Sequence, residues 1–172
     1  SGTSVSQATA AASSSQNQSK YEANVASVAG KMDNRVIAAY QQLGFKLVVD
    51  PSVNYSGYFD ARSRSITMKQ IDDSVYHELG HFLAFIAGNA DKTASFQSIF
   101  AAEKANVTAF NKAYVTQNAS EYFAESVKDY ILNNASLKST RPQTYAAVQN
   151  ALNQITDAQI AKIQKIYGAF WN

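Results

Sequence analysis

The stretch His77-Glu78-Leu79-Gly80-His81 contains both histidines of the 172-residue chain. On an α-helix, side chains four residues apart lie on one face, so both imidazoles can reach a single metal ion. Zinc accepts histidine nitrogen readily, and a glutamate between two such histidines suits a base that takes a proton from water. The H-E-x-x-H pattern therefore predicts His77 and His81 as zinc ligands and Glu78 as a catalytic base. The alternative is a helix that carries two ordinary histidines.

The sequence around the motif predicts a helix over residues 72–87. Asp72-Asp73-Ser74 suits a helix N-terminus, and Gly88-Asn89 is a stop signal. Apolar residues recur between them at helical spacing and predict one buried stripe: Val75, Leu79, Phe82, Leu83 and Ile86. Gly80 costs about 1 kcal/mol relative to alanine in a helix. Either another segment approaches the helix closely at Gly80, or the glycine is merely tolerated.

A catalytic zinc usually takes three protein ligands, so the predicted site needs a third. The chain has no cysteine and no further histidine, which leaves a carboxylate and excludes a three-histidine site. Glu22 lies beside a predicted tail, and Glu103 occupies a predicted surface position. Three aspartates are weaker candidates: Asp91, Asp129 and Asp157.

Glu121 and Glu125 are better candidates because they lie one turn apart on a predicted helix over residues 119–132. Asn118 and Glu121, three residues apart, together resemble a capping box. The predicted buried face of the helix consists of Phe123, Val127, Tyr130 and Ile131. A solvated acidic edge is the ordinary interpretation of such a pair. Because the predicted zinc site still needs one carboxylate ligand, we favour the interpretation that this pair of glutamates belongs to the site.

These residues together resemble a known family. The HELGH motif, followed about 40 residues later by Glu121-Tyr-Phe-Ala-Glu125, resembles the catalytic domain of anthrax lethal factor and the related secreted bacterial Pro-Pro endopeptidases. The resemblance covers roughly residues 72–131. It implies that Glu121 is the third zinc ligand, that Tyr114 stabilises the oxyanion during catalysis, and that Glu125 is a supporting residue near the metal.

Two positions depart from the family pattern, and both bear on substrate specificity. The resemblance leads us to expect a tryptophan before the active-site helix, but the only tryptophan is Trp171. Ser120 stands where some relatives have an acidic residue. Neither position belongs to the predicted metal site.

Composition indicates one folded domain preceded by a linker. Residues 1–20 are rich in Ser, Ala and Gln with a single charged residue, which predicts a disordered linker. Residues 21–172 then form the metallopeptidase domain, since 46% of the chain is hydrophobic and can build a core. A net charge of +2 without basic clusters predicts neither nucleic-acid nor membrane-surface binding. No apolar run is long enough for a membrane span.

The order of predicted elements indicates an α+β fold, with a small sheet before the active-site helix and helices after it. Strands are predicted at 45–49, 57–59 and 65–68, and helices at 34–42, 72–87, 91–105, 119–132, 142–154 and 157–170. The resemblance implies a zincin-like arrangement. Residues 65–69 then form either a substrate-binding edge strand or an internal strand of the sheet.

The function implied by the resemblance is a secreted bacterial zinc endopeptidase that cleaves extended, proline-containing segments of surface or secreted proteins. We expect one zinc ion per chain, a protein or peptide substrate and a monomer. Aromatic residues near the predicted edge strand or the active-site helix suit proline rings: Tyr55, Tyr58, Phe59 and Tyr76. The alternatives are the catalytic domain of a multidomain lethal-factor-like toxin and a zinc-binding interaction module without turnover.

Overall fold

The computed structural model describes residues 19–171. A four-stranded sheet is formed by β1 (Tyr21–Ala23), β2 (Lys46–Val49), β3 (Gly57–Asp60) and β4 (Ser65–Met68), in the order β1-β2-β4-β3. β2 and β4 pair in parallel, whereas β1 with β2 and β3 with β4 are antiparallel. The predicted α+β class is confirmed.

Helices make up most of the structure, and most of them follow β4 along the chain. Two precede β2, namely α1 (Val25–Val28) and α2 (Asn34–Gln42). The remaining helices are α3 (Ser74–Ile86), α4 (Ala94–Glu103), α5 (Lys112–Val115), α6 (Ala119–Leu132), α7 (Asn134–Thr140), α8 (Pro142–Asn153) and α9 (Asp157–Trp171). A single 3-10 turn, Lys104–Asn106, extends α4. Within the described part of the chain, no helix is both long and apolar enough to cross a membrane.

Within residues 19–171, β3 forms the edge of the sheet next to α3. β4 lies between β2 and β3, so residues 65–68 form an internal strand. The interpretation of residues 65–69 as an edge strand is therefore wrong. The order of strands depends on pairing between segments that are distant in sequence. β2 pairs with β4 and not with β3, which leaves β3 outside β4. Any strand that extends the sheet near α3 must add to β3.

The motif helix α3 forms the centre of the core, and its predicted apolar stripe is confirmed. Val75, Leu79, Phe82, Leu83 and Ile86 are all fully buried. The ring of Phe82 packs edge-on against Tyr40 and Phe45, at centroid distances of 4.9 Å each. Such aromatic pairs stabilise a core beyond their buried area. They fix α3 against α2 and the start of β2, which gives the site a rigid base.

The predicted stop of α3 is also confirmed. Gly88 adopts a φ of 73° and Asn89 a φ of 58°, so two consecutive residues are left-handed immediately after the helix. Glycine and asparagine tolerate this conformation better than other residues. The chain therefore turns sharply after Ala87 and passes Asp91 before α4 begins.

Glu103 does not lie on the surface as expected. It is buried, and its carboxylate accepts hydrogen bonds from Gln143 N at 3.1 Å, Thr144 N at 2.8 Å and Thr144 Oγ1 at 2.7 Å. Glu103 therefore caps the N-terminus of α8. The cap comes from a residue 40 positions away, which local pattern does not reveal.

The short elements were missed because they are too short to show a hydrophobic period. They are β1, α1, α5, α7 and the 3-10 turn. The predicted linker falls almost entirely on residues 1–18, which lie outside the described residues, and it stays a prediction.

Candidate metal centre

α3 and α6 approach each other closely at Gly80. A β-carbon on Gly80 would lie 2.6 Å from the Ala124 carbonyl oxygen and 2.8 Å from Ala124 Cα. No residue with a side chain fits at those distances without moving the backbone of α6. Of the two interpretations of Gly80, the structure supports the close approach of another segment. The close approach places Glu121 and Glu125, on either side of Ala124, opposite the two histidines.

Three of the predicted residues meet at one point. Glu121 Oε2 lies 2.9 Å from His77 Nε2, and Glu121 Oε1 lies 3.2 Å from His81 Nε2. One ligand atom from each of the three residues lies within 4.8 Å of the others. Two imidazoles and a carboxylate are the donor set that zinc favours in catalytic sites, so this group fits the ion.

Glu125 supports the cluster from the opposite side of the His77 ring. Its Oε2 lies 2.7 Å from His77 Nδ1, and its Oε1 lies 3.7 Å from Lys128 Nζ. A carboxylate on the outer nitrogen holds a histidine ring in position and raises its basicity. The structure thus places Glu125 behind a histidine of the cluster and outside the three-residue group itself.

The charges of these side chains depend on one another. Burial alone would lower the pKa of His77, but the carboxylates of Glu121 and Glu125 outweigh it and raise that pKa to about 9. Burial would raise the pKa of Glu121, yet hydrogen bonds from His77 and His81 hold it far below its ordinary value. Without a metal, the site therefore holds a cationic His77 between two carboxylates. A divalent cation would replace that proton.

Glu78 is buried beside the cluster and lies against β3. Burial raises the pKa of its carboxyl above the ordinary value, although His77 and His81 oppose that rise. A β-carbon on Gly57 would lie 2.9 Å from Glu78 Cγ, so a side chain at this position of β3 would displace the Glu78 side chain. Gly57 was not singled out from the sequence. A glycine at the start of a predicted strand often marks a place where another group approaches the backbone closely, and this signal was available in the sequence.

Tyr114 lies on α5, at the open side of the cluster, and its side chain is 55% exposed. Partial burial raises the pKa of its hydroxyl, and the nearby Glu121 carboxylate raises it further. Tyr114 therefore keeps its proton at neutral pH and remains a hydrogen-bond donor that faces the solvent side of the site. Phe59, which stacks on the His81 ring at 6.5 Å, borders the site on the β3 side.

The other acidic candidates lie outside the cluster. Glu22 pairs with Lys46 at 3.3 Å, and Glu103 caps α8. Asp129 is paired with Arg141 at 2.5 Å, and Asp157 lies in the first turn of α9. Asp91 lines a cavity beside His81 but is not one of the three clustered residues. Glu121 is thus the carboxylate that the fold brings to both histidines.

Comparison with known proteins identifies the family to which the chain belongs. Residues 45–151 match the family described as "Anthrax toxin lethal factor, N- and C-terminal domain". This range includes the sheet from β2 onward and the group formed by His77, His81 and Glu121. The match covers more than half of the chain. The protein belongs to this family, as the resemblance in the motifs implied.

One curated relative is a Pro-Pro endopeptidase of Clostridioides difficile (strain 630). It is 41% identical over 78 residues, which make up 43% of this chain and 34% of the relative. The matched segment thus spans about a third of the relative's length.

Proposed function

We propose that the protein is a secreted, zinc-dependent endopeptidase with a zincin-like catalytic site. The single observation that carries this proposal is the meeting of His77, His81 and Glu121 within 4.8 Å, with Glu78 buried next to them. A site that only bound zinc would need neither Glu78 nor an exposed tyrosine at its mouth. The name of the Clostridioides difficile relative supports the same class of reaction.

Each side chain has a distinct role in the proposed hydrolysis. Zinc held by the cluster would polarise the scissile carbonyl and make a nearby water more acidic. Glu78 accepts the proton of the attacking water and then delivers it to the leaving amine. Its raised pKa suits this exchange, because the carboxylic acid must persist long enough to donate. Tyr114 donates a hydrogen bond to the carbonyl oxygen as negative charge develops there.

The substrate is proposed to lie along the free edge of β3 as an added antiparallel strand. An edge strand offers unpaired N–H and C=O groups that an extended peptide can bind. Tyr58 on β3 is 56% exposed, and its ring lies 6.0 Å from that of Tyr55. These two rings suit proline side chains on an extended substrate. Tyr76 is excluded from this role, since it is buried and its hydroxyl accepts a hydrogen bond from Lys31 N.

Proteolysis is tested by incubating the protein with a peptide library and identifying cleaved bonds by mass spectrometry. We expect cleavage with one bound zinc per chain, and its loss after treatment with a chelator and after Glu78→Gln. Glu78→Gln should retain zinc because Glu78 is not one of the clustered ligands. Asp157→Asn, an exposed change on α9, is the matched control and should cleave normally.

Each alternative gives a different result in the same experiment. Normal cleavage by Glu78→Gln would refute the proposed mechanism. Zinc binding without cleavage of any peptide would favour an interaction module instead. A chain that binds no zinc at all would remove the basis of both interpretations.

A further inference from the structure

The last turn of α9 packs against the turn that joins β3 to β4. Trp171, the only tryptophan of the chain, donates a hydrogen bond from its indole N–H to the Ala61 carbonyl, directly after β3, at 3.0 Å. The guanidinium of Arg64, directly before β4, lies over the Trp171 ring at 5.1 Å. That of Arg62 lies over the neighbouring Phe170 ring at 5.4 Å. Both distances are within the range of cation–π attraction, so two consecutive residues of α9 hold this turn.

Aromatic rings connect Trp171 to the metal centre. The Trp171 ring packs edge-on against Phe45 at 5.7 Å and lies 6.3 Å from Phe85. Phe59, on β3, stacks on Phe45 at 6.1 Å and lies 6.2 Å from Phe85. The Phe59 ring also stacks on His81 at 6.5 Å. Trp171 thus contacts the two rings that support Phe59, and Phe59 in turn contacts a proposed zinc ligand.

β3 is also in contact with the proposed catalytic base. The Glu78 carboxylate accepts a hydrogen bond from the backbone N–H of Phe59. Gly57, at the start of the same strand, lies so close that a β-carbon there would be 2.9 Å from Glu78 Cγ. The position of β3 against α3 therefore determines where the edge of the sheet lies relative to Glu78 and His81.

We propose that Trp171 is a positioning residue: it fixes the end of β3, so that the edge of this strand binds an extended substrate in register with the metal centre. The inference rests on the proposed function for the place of the substrate along β3. A strand that is already held in its binding conformation loses less entropy when a peptide pairs with it. Loss of Trp171 should therefore weaken substrate binding. The proposed zinc ligands lie on α3 and α6 and should keep their spacing.

The kinetic test compares Trp171→Phe with Trp171→Ala, on one peptide that the wild-type protein cleaves at a single bond. Trp171→Phe keeps an aromatic ring and removes the N–H donor, and should raise KM by ~3-fold, the usual effect of one lost neutral hydrogen bond. Trp171→Ala also removes the ring contacts and should raise KM by ~10-fold. In both variants kcat should change by less than ~2-fold, because the lost interaction serves binding. Zinc affinity should equal that of the wild type.

The control separates positioning from stability. Leu137→Ala on α7 removes a fully buried side chain, and should lower the melting temperature. It should leave KM unchanged when all proteins are assayed well below their melting temperatures. A residue that only stabilised the fold would behave like Leu137 in this comparison.

Amide hydrogen exchange tests the same anchor without cleavage. Trp171→Ala should increase exchange over residues 57–68 by ~10-fold, because the turn after β3 loses its contacts with α9. Exchange over α6, which carries Glu121, should stay as in the wild type. Trp171→Phe should lie between the wild type and Trp171→Ala in this measurement, as in KM.

The outcomes separate this inference from the proposed function. Wild-type KM in Trp171→Ala would overturn the positioning role, whether or not exchange over residues 57–68 increases. An equal rise of KM in Leu137→Ala would assign the effect to stability and overturn it too. If the wild-type protein cleaves no peptide, the proposed function fails; faster exchange over residues 57–68 would then still support the anchor, and unchanged exchange would overturn it. If Trp171→Ala does not fold, Trp171→Phe decides by the same criteria.

Discussion

The carbonyl oxygen of Ala124 lies 2.6 Å from the position that a β-carbon on Gly80 would occupy. The contact joins the helix that carries both histidines to the helix that carries Glu121. Since both partners are helix backbone, neither can move aside at low cost. The spacing of the proposed metal ligands therefore depends on the absence of a side chain at position 80.

We expect Gly80→Ala to destabilise the fold by ~2 kcal/mol and to weaken zinc binding. Overpacking at backbone costs ~1–3 kcal/mol, which exceeds the ~1 kcal/mol that alanine contributes in a helix. Chemical denaturation and zinc titration measure the two effects. Gly168→Ala on α9 is the control, because its β-carbon would meet only the flexible end of Gln164 at 3.2 Å. A Gly80→Ala protein as stable as the wild type would contradict the packing argument.

The carboxylates should divide into three roles when each is changed to glutamine. Glu121→Gln should reduce zinc affinity most, because Glu121 contacts both histidines. Glu125→Gln should reduce it by ~10–100-fold, the usual effect of a group that orients a ligand. Glu103→Gln should leave zinc affinity unchanged and lower the free energy of unfolding by ~1–3 kcal/mol, because it disturbs the cap of α8. Release of zinc by Glu103→Gln, or a larger loss for Glu125→Gln than for Glu121→Gln, would show the ligand assignment to be wrong.

Zinc binding should displace a proton from His77. The pKa of His77 is raised from 6.5 to about 9 in the metal-free site, so the imidazole is protonated at pH 7.5 and must lose that proton to bind a metal. Calorimetric zinc titrations at pH 7.5, in buffers of different ionisation enthalpy, should show release of about one proton. Binding heats that do not depend on the buffer would contradict the charge assigned to His77.

The raised pKa of His77 also determines how the stability of the metal-free protein depends on pH. A raised pKa in the folded state means that protonated His77 stabilises the fold. This contribution is fully present below pH 6.5 and is lost as the pH rises through about 9. The chelator-treated protein should therefore unfold at lower denaturant concentration at pH 10 than at pH 7. Zinc-loaded protein should show a smaller decrease between these pH values, because the metal has already removed the proton.

Much of the structure could be predicted from local sequence, since α3 and α6 each have a clear hydrophobic period and a stop or cap. Asn118, for example, accepts a hydrogen bond from Glu121 N at 2.8 Å, as the capping pattern indicates. The features that escaped prediction depend on partners far away in the chain. The edge position of β3 follows from strand order, the burial of Glu103 from α8, and the close fit of Gly57 from the Glu78 side chain.

Removing the first 20 residues should leave the melting temperature and the cleavage rate unchanged. The segment is predicted to be a linker, and the sheet begins only at Tyr21. Removing 24 residues is the matched control, because it also deletes β1, whose Tyr21–Ala23 pairs with β2. The longer deletion should lower the melting temperature by several degrees. An equal loss in the shorter deletion would show that residues 1–20 are ordered against the domain.

Cleavage should favour proline at the scissile bond. A proline-rich segment is already extended, so it loses less conformational entropy when it lies along β3. The exposed rings of Tyr55 and Tyr58 offer apolar faces to such a segment. Trp171 instead packs edge-on against Phe45 at 5.7 Å, and its indole N–H donates a hydrogen bond to the Ala61 carbonyl, just after β3. The chain lacks the tryptophan expected before the active-site helix. We therefore expect Tyr55 and Tyr58 to provide the aromatic contact to proline.

The measurement compares kcat/KM for four peptides that differ only at the scissile bond, which is Pro-Pro, Ala-Pro, Pro-Ala or Ala-Ala. We expect Pro-Pro to be cleaved ~10-fold faster than Ala-Ala or better, in line with one or two ring contacts of ~1 kcal/mol each. Tyr58→Ala should reduce that ratio. Tyr145→Ala is the control and should not reduce it, because Tyr145 lies on α8 and packs on Tyr130. Equal kcat/KM for all four peptides would reject proline specificity and leave the zinc endopeptidase assignment in place, because the metal cluster and Glu78 do not depend on the residues that flank the bond.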